Sequence, residues 1–272
     1  MTVRSGFRGA SAEALATLST EVESAVNQGA AGSTGTELFS VAAVLRSEPA
    51  LRRVATDVSL PAEAKAGLID SIFSGKVSAS TLALVKTAVG QRWTATRDLA
   101  DVLEHLGVVA TVRSTGADAG RLADELFTFA GAVRGNPELR DALSDSARSS
   151  EDKAGLVRGL LDGKALPATV VLAVEALSGS HRTVDAALTA YQKVVADVQD
   201  KAAAVVRVAR SLTPVDTDRL AAALSRQYGK DIHVNVVVEP DLIGGIRVEI
   251  GDDIIDGTVV SRLDDAGRKL AG

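Results

Sequence analysis

Two glycine-lysine pairs, Gly75-Lys76 and Gly163-Lys164, are the first residues in this chain whose type and order could do chemistry. A phosphate-cradling loop needs a glycine five residues before such a pair and a Ser or Thr after it to hold magnesium. Asp70 and Arg158 stand at the first of those positions, and Val77 and Ala165 follow the lysines. The pairs read instead as helix C-caps with a trailing lysine. His105, His181 and His233 fall in separate predicted elements, none with a second histidine three or four residues away, so they do not carry the pattern of a metal site. His233 alternates with core positions and is expected to face solvent. Asp252, Asp253 and Asp256 lack the spacing of a calcium loop, and turn and N-cap duty explains them more simply. Arg92-Trp93 holds the only tryptophan, a residue type enriched at interface hot spots, with core filling as the favoured alternative. A carboxylate pair assembled in three dimensions stays open. No catalytic, cofactor-binding or metal-ligating set is expected.

Composition narrows the classes. Apolar residues make up 46% of the 272 positions but aromatics only 3%, which suits small-residue helical packing and leaves few anchors for a ligand pocket. A net charge of −5 argues against sequence-independent binding to nucleic acid, which needs a basic surface. Without cysteine there is no disulfide framework and no thiolate metal site. No apolar run approaches the ~20 residues that span a bilayer. The richest, Ala165–Leu177, is interrupted by Pro167, Thr169 and Glu175. Arg4 and Arg8 lack a following apolar core, so a soluble, untranslocated chain is expected, with any membrane contact made through a partner.

The elements that position these residues are mostly helices. Leu15, Leu18, Val22 and Val26 recur at helical spacing over Ala10–Val26. Gly29–Gly35 reads as a flexible break, with Thr36 capping a helix from Glu37 to Arg46. Further helices are expected over Pro49–Asp57, Pro61–Gly75, Ala79–Val89 and Thr96–Ala110, followed by a loop over Arg113–Ala119. The chain then repeats itself 88 residues on. Leu38-Phe39 recurs as Leu126-Phe127, Pro49-Ala-Leu-Arg52 as Pro137-Glu-Leu-Arg140, and Lys65-Ala-Gly-Leu68 as Lys153-Ala-Gly-Leu156. Fifteen of the 39 positions from Glu37 to Gly75 are identical without a gap. Pro, Gly, Lys and Arg in register point to a duplicated helical unit, and the period is too long for a solenoid. Helices of the second copy are expected over Asp118–Arg134, Pro137–Ser144, Ser150–Leu161, Pro167–Ser178 and Thr183–Gln199.

Past Lys201 the pattern changes. Ala204–Ala209 and Ile232–Val238 read as strands around a helix with Thr213 as N-cap, Pro214 at its first position and Gly229 at its end. In Ile246–Ile250 the apolar residues alternate, as in a half-buried strand. Gly244-Gly245 before it suggests a bend or close backbone approach. Ile254-Ile255 resumes a short strand, and Thr258 caps a last helix over Val259–Leu270.

The tail carries an ordered set of residues: Glu239-Pro240, Leu242-Ile243-Gly244-Gly245-Ile246, Gly251-Asp252, Ile254-Ile255, Asp256-Gly257 and Arg262-Leu263. This set resembles the C-terminal signature of the delta subunit of F-type ATP synthases, relatives of the mitochondrial oligomycin-sensitivity-conferring protein. The second copy, with its Asn136-Pro137-Glu138-Leu139-Arg140 element, resembles the helical domain of that family. The first copy is an addition to the usual plan and resembles the actinobacterial branch. The resemblance implies a mainly α chain: a first helical bundle over 1–112, a second over 113–200, and a small α/β domain over 201–272. It further implies a non-catalytic stator, without cofactor or metal, that links alpha subunits of the catalytic head to b-type stalk subunits. Such a protein sits peripherally at the cytoplasmic face of the plasma membrane and resists rotor torque. The residues alone leave an unrelated adaptor, or an enzyme with a scattered site, as rival readings.

Overall fold

The computed structural model describes residues 6–26, 31–199, 201–229, 231–242, 244–250 and 253–257. They form two compact units, Met1–Val195 and Ala196–Gly272.

The described elements of the first unit are all helical, the last of them running a few residues past its boundary: α1(Ala10–Ala25), α2(Ala31–Ser47), α3(Pro49–Thr56), α4(Ala62–Phe73), α5(Ala79–Gly90), α6(Asp98–Ser114), α7(Ala119–Gly135), α8(Pro137–Ser144), α9(Ser150–Leu161), α10(Pro167–Glu175) and α11(Val184–Val198). The 88-residue repeat is visible in the elements themselves. Helices α2, α3 and α4 begin and end 88 residues before α7, α8 and α9. Gly75 and Gly163 end α4 and α9 alike, at φ 74° and 73°, a left-handed conformation that glycine adopts without steric penalty. Helix α6 also begins 88 residues after α1. It therefore closes the first set of helices and opens the second.

That double role explains its composition. Helix α1 buries one stripe, Ala14, Leu15, Leu18 and Val22, and leaves its opposite face polar. Helix α6 buries Leu99, Val102, Leu103, Leu106, Val108, Val109 and Val112 around its circumference. A helix buried on so many sides must be enclosed by other helices. Helices α1 and α2 pack on it from the first copy, and α7 and α10 from the second. The first core gathers Leu18, Leu38, Leu45, Ile69, Val85 and Leu103 around it, and Trp93 packs on that core with its indole N–H donated to the Ala88 carbonyl at 3.1 Å.

The break expected over Gly29–Gly35 does not extend through the described residues. Residues 31–35 are helical, and Thr36 lies inside α2. Gly35 is a contact residue rather than a flexible one. A Cβ there would lie 2.3 Å from Thr111 Oγ1 and 3.1 Å from the Gly107 carbonyl of α6. Likewise the loop expected over Arg113–Ala119 is the last turn of α6, a 3₁₀ turn over Gly116–Asp118 and the first residue of α7.

In the second unit β1(Lys201–Val208), α12(Pro214–Tyr228), β2(Asp231–Val238), β3(Ile246–Ile250) and β4(Asp253–Asp256) form a sheet of order β2-β1-β3-β4 with one described helix. Strands β1 and β2 are parallel, which requires the α12 crossover, and the other pairings are antiparallel. Thr213 caps α12 by accepting the Asp216 N–H at 3.2 Å, and Gly229 ends it at φ 65°. Ala204, Val206, Val208, Ile232, Val248 and Ile250 share a core with Leu220, Leu224 and Tyr228 of α12. The expected last helix, Val259–Leu270, lies outside the described residues.

Candidate partner-binding site

Each copy has, on its second helix, a carboxylate that ties two of its helices together. Glu37 of α2 accepts the N–H (3.1 Å) and hydroxyl (2.7 Å) of Ser78, the N-cap of α5. Its repeat partner Glu125 of α7 accepts the Leu166 N–H at 2.8 Å and the Thr169 hydroxyl, at the N-terminus of α10. Burial opposes the charge on both, but the hydrogen bonds outweigh it and hold each carboxyl below its ordinary range. Both carboxylates also meet the positive end of a helix dipole. This fixes α10 against α7 and sets its outer face.

That outer face opposes α2 across a groove of about 580 Å³. On the α2 side stand Thr36, Phe39, Ser40 and Ala43, spaced i, i+3, i+4 and i+7. On the α10 side stand Pro167, Val170, Val171 and Val174 at the same spacing, so two matched helical stripes form the walls. Arg158 and Asp162 lie at the margin contributed by α9 and the turn after it, and Arg158 is held by Glu151 at 2.8 Å. Glu175 ends the α10 wall.

Beneath Glu175 lies a buried polar network that joins the two copies. Glu104 of α6 is 2% exposed. It pairs with Arg46 of α2, and accepts the Ser180 N–H at 2.8 Å and the Tyr191 hydroxyl of α11 at 2.7 Å. Arg46 also donates to Asp101 at 3.4 Å. Its other terminal nitrogen, Nη1, has no hydrogen-bond partner and stands 3.9 Å from Glu175. Burial, and then the Glu104 charge, raise the Glu175 carboxyl to about 7. Burial likewise raises Asp101 and, with Glu104, pushes the Tyr191 hydroxyl far up. A Cβ on Gly179 would sit 2.4 Å from Glu104 Oε1, so any larger residue there has to displace the carboxylate. His105, next on α6, has its Nε2 sealed from solvent without a partner, and burial lowers its pKa to about 4.

None of the five network side chains, Arg46, Asp101, Glu104, Glu175 and Tyr191, stands out as a site in the sequence. The available signals were a carboxylate in the apolar stretch of α6 and Glu175 interrupting the Ala165–Leu177 run. The repeat is informative in reverse: Arg46 recurs as Arg134, but Glu104 becomes Gln192, and Arg134 pairs instead with Asp185 at 2.7 Å.

The signature residues of the tail gather around β3 and β4. Leu242 closes a turn on the Glu239 carbonyl at 3.1 Å. Gly244 and Gly245 take φ 146° and 89°, conformations that favour glycine, directly before β3. Ile246 and Gly257 meet through a 2.9 Å N–H···O bond, with room for no side chain beyond a tight 3.1 Å contact at Gly257. Ile255 pairs with Val248 and Asp256 with Arg247 across the β3–β4 ladder. Ile243, Gly251, Asp252 and Arg262 lie outside the described residues. Gly75 and Gly163 follow the ends of helices rather than precede their starts, unlike the glycines of a phosphate-cradling loop. His233, expected to face solvent, is half-buried on β2.

The family pattern described as ATP synthase delta (OSCP) subunit matches residues 108–270, which begins within α6 and leaves most of the first copy outside. An ATP synthase subunit delta of Nocardioides sp. is 56% identical over 98% of both chains. One from Kineococcus radiotolerans is 46% identical over 89% of both. One from Nocardia farcinica is 43% identical over 89% of this chain and 90% of its own. With near-complete coverage at that identity, and the helical second copy and glycine-marked tail lying inside the matched span, this chain belongs to the ATP synthase delta (OSCP) subunit family, a peripheral-stalk component of the F-type ATP synthase.

Proposed function

We propose that this stalk subunit is purely mechanical and that its parts divide the contacts. The second copy, Asp118–Gln199, binds N-terminal segments of alpha subunits of the catalytic head. The small C-terminal part, 201–272, binds the b-type stalk subunits, and its signature residues shape that contact. The first copy, 1–112, makes a separate contact. The assembly works at the cytoplasmic face of the plasma membrane, and the chain reaches the membrane only through its partners. No described helix is long and apolar enough to cross a bilayer.

One observation carries this reading: the family pattern spans the second copy and the tail and stops short of the first copy. The physics of the helical unit supports it. Small-residue helices leave grooves that take the apolar face of an amphipathic partner helix. The hydrogen bonds that Ser180 and Tyr191 of the second copy donate to buried Glu104 of α6 suit a body that must transmit torque without the copies sliding, because pulling them apart leaves a buried carboxylate short of partners. The test is co-purification of the tagged full chain with the catalytic head and with b-type subunits, together with nucleotide titration by calorimetry. Recovery of both partners with no saturable nucleotide binding is expected. Absence of the head, or micromolar nucleotide affinity, would sink the reading.

A further inference from the structure

Glu175 is left incompletely paired at the mouth of the α2–α10 groove. Glu104 is satisfied by Arg46, Ser180 and Tyr191, and Asp101 also draws on Arg46. Among the described residues, Glu175 has only Arg46 Nη1 near it as a cation, at 3.9 Å and outside hydrogen-bond reach. One guanidinium thus faces three carboxylates, from α6 twice and α10 once. The other ionisable groups around the cluster are Tyr191 of α11, with the His181 ring edge-on to it at 6.0 Å, His105 of α6, and Arg158 and Asp162 at the α9 margin. Tyr191 is neutral, His105 titrates near 4, and Arg158 is engaged by Glu151. Above this acidic end run two stripes of matched helical spacing, each about two turns or ~10 Å long: an apolar one of Pro167, Val170, Val171 and Val174 on α10, and a small-residue one of Thr36, Ser40 and Ala43 on α2.

We propose that the α2–α10 groove seats two turns of an amphipathic helix from another subunit of the complex, and that this helix sets a Lys or Arg over Glu175. The apolar face of the incoming helix lies on Ala43, Val170, Val171 and Val174, and its cation supplies the charge that the cluster lacks. The site exists only because the chain is duplicated: one wall belongs to each copy. It rests on the reading of the chain as a stalk subunit.

Binding is linked to a proton. In the empty groove Glu175 holds a proton below about pH 7. A cation over it favours the charged form, so docking releases that proton, and affinity rises with pH through 7 and then levels off. A single released proton gives about a tenfold gain between pH 6 and pH 8. An uncharged helix in the same groove would show the opposite trend.

The test uses the full chain within the assembled complex. Ala43 and Val171 are replaced, one at a time, by a photo-crosslinking amino acid, and the crosslinked segment is identified by mass spectrometry. The expected product is a helical segment of another subunit with a Lys or Arg on its apolar-facing border. A synthetic peptide of that segment should bind the wild-type chain about tenfold more tightly at pH 8 than at pH 6, and Glu175→Gln should remove the difference. No crosslink in a complex that has assembled, a segment without a basic residue, or a pH dependence unchanged in Glu175→Gln would each overturn the groove assignment and leave the stalk reading standing. A chain that fails to enter the complex overturns both.

Discussion

Gly107 of α6 and Gly35 of α2 meet backbone to backbone, a Cβ on Gly107 falling 3.1 Å from the Gly35 carbonyl oxygen and 2.6 Å from the Phe39 ring. The crossing is this close because neither residue carries a side chain. Gly107→Ala should therefore destabilise the helical unit by about 1–3 kcal/mol through overpacking, despite a helix-propensity gain of about 1 kcal/mol. Chemical denaturation of the full chain checks this. A stabilised variant would show that the helices can part without penalty.

Removing the repeated carboxylates should act at both copies alike. Glu37→Gln and Glu125→Gln each weaken the tie to the N-terminus of α5 or α10, with an expected loss of about 1–2 kcal/mol. Both carboxyls are held below their ordinary range. Their stabilisation is therefore present above the unfolded pKa and is lost as pH falls through the lower folded value. Denaturation midpoints of the two variants should converge on wild type in acid. A variant gap that stays constant down to acid would show that the charge is not what matters.

Breaking the buried network should be the most damaging single change. Glu104→Gln removes the one fully buried carboxylate paired with Arg46 and leaves the guanidinium only the longer contacts to Asp101 and Glu175, for an expected loss of about 3 kcal/mol. Tyr191→Phe removes one hydrogen bond to the same carboxylate and should cost about 1–2 kcal/mol. Thermal unfolding of the two variants gives the order, and a larger effect from Tyr191→Phe would contradict this account of the network.

The pH profile of the helical unit should carry two opposed signatures. Glu175 is raised to about 7, so folding is favoured while it is protonated, and this contribution fades as pH rises from its unfolded value near 4.5 through 7. His105 is lowered to about 4, so its neutral form is favoured and stability is lost as pH falls from about 6.5 through 4. Each is at most about 3 kcal/mol. Glu175→Gln should raise stability at pH 8 more than at pH 5, and a uniform effect across that range would rule the assignment out.

At the tail, Gly245 stands at φ 89°, a conformation closed to a β-branched side chain. Gly245→Val should destabilise the C-terminal unit and release b-type subunits while the helical unit keeps its circular dichroism. Full retention of stalk binding and stability would remove any special role for this glycine. Fragments are a poorer probe of the helical copies, because one that begins near Thr115 discards α6, the helix that both copies share.

Periodicity and punctuation were enough for most of the described helices and strands. The prolines at the start of α3, α8, α10 and α12 and the glycines after α4, α9 and α12 act through local φ and missing N–H groups, so their effect is written beside them in the chain. The duplication was legible for the same reason, as a register of such residues 88 apart, and the tail's signature as an order of glycines and aspartates. What the chain alone did not reveal is where its copies touch. Gly35 reads locally as a loop residue and proves to be a helix contact, because its role depends on Gly107, 72 positions away. Arg46, Glu104, Glu175 and Tyr191 come from four helices and look like ordinary surface residues one at a time. Only packing α6 between both copies removes water from them, and it is the loss of water that turns scattered charges into a network and leaves Glu175 short of a partner.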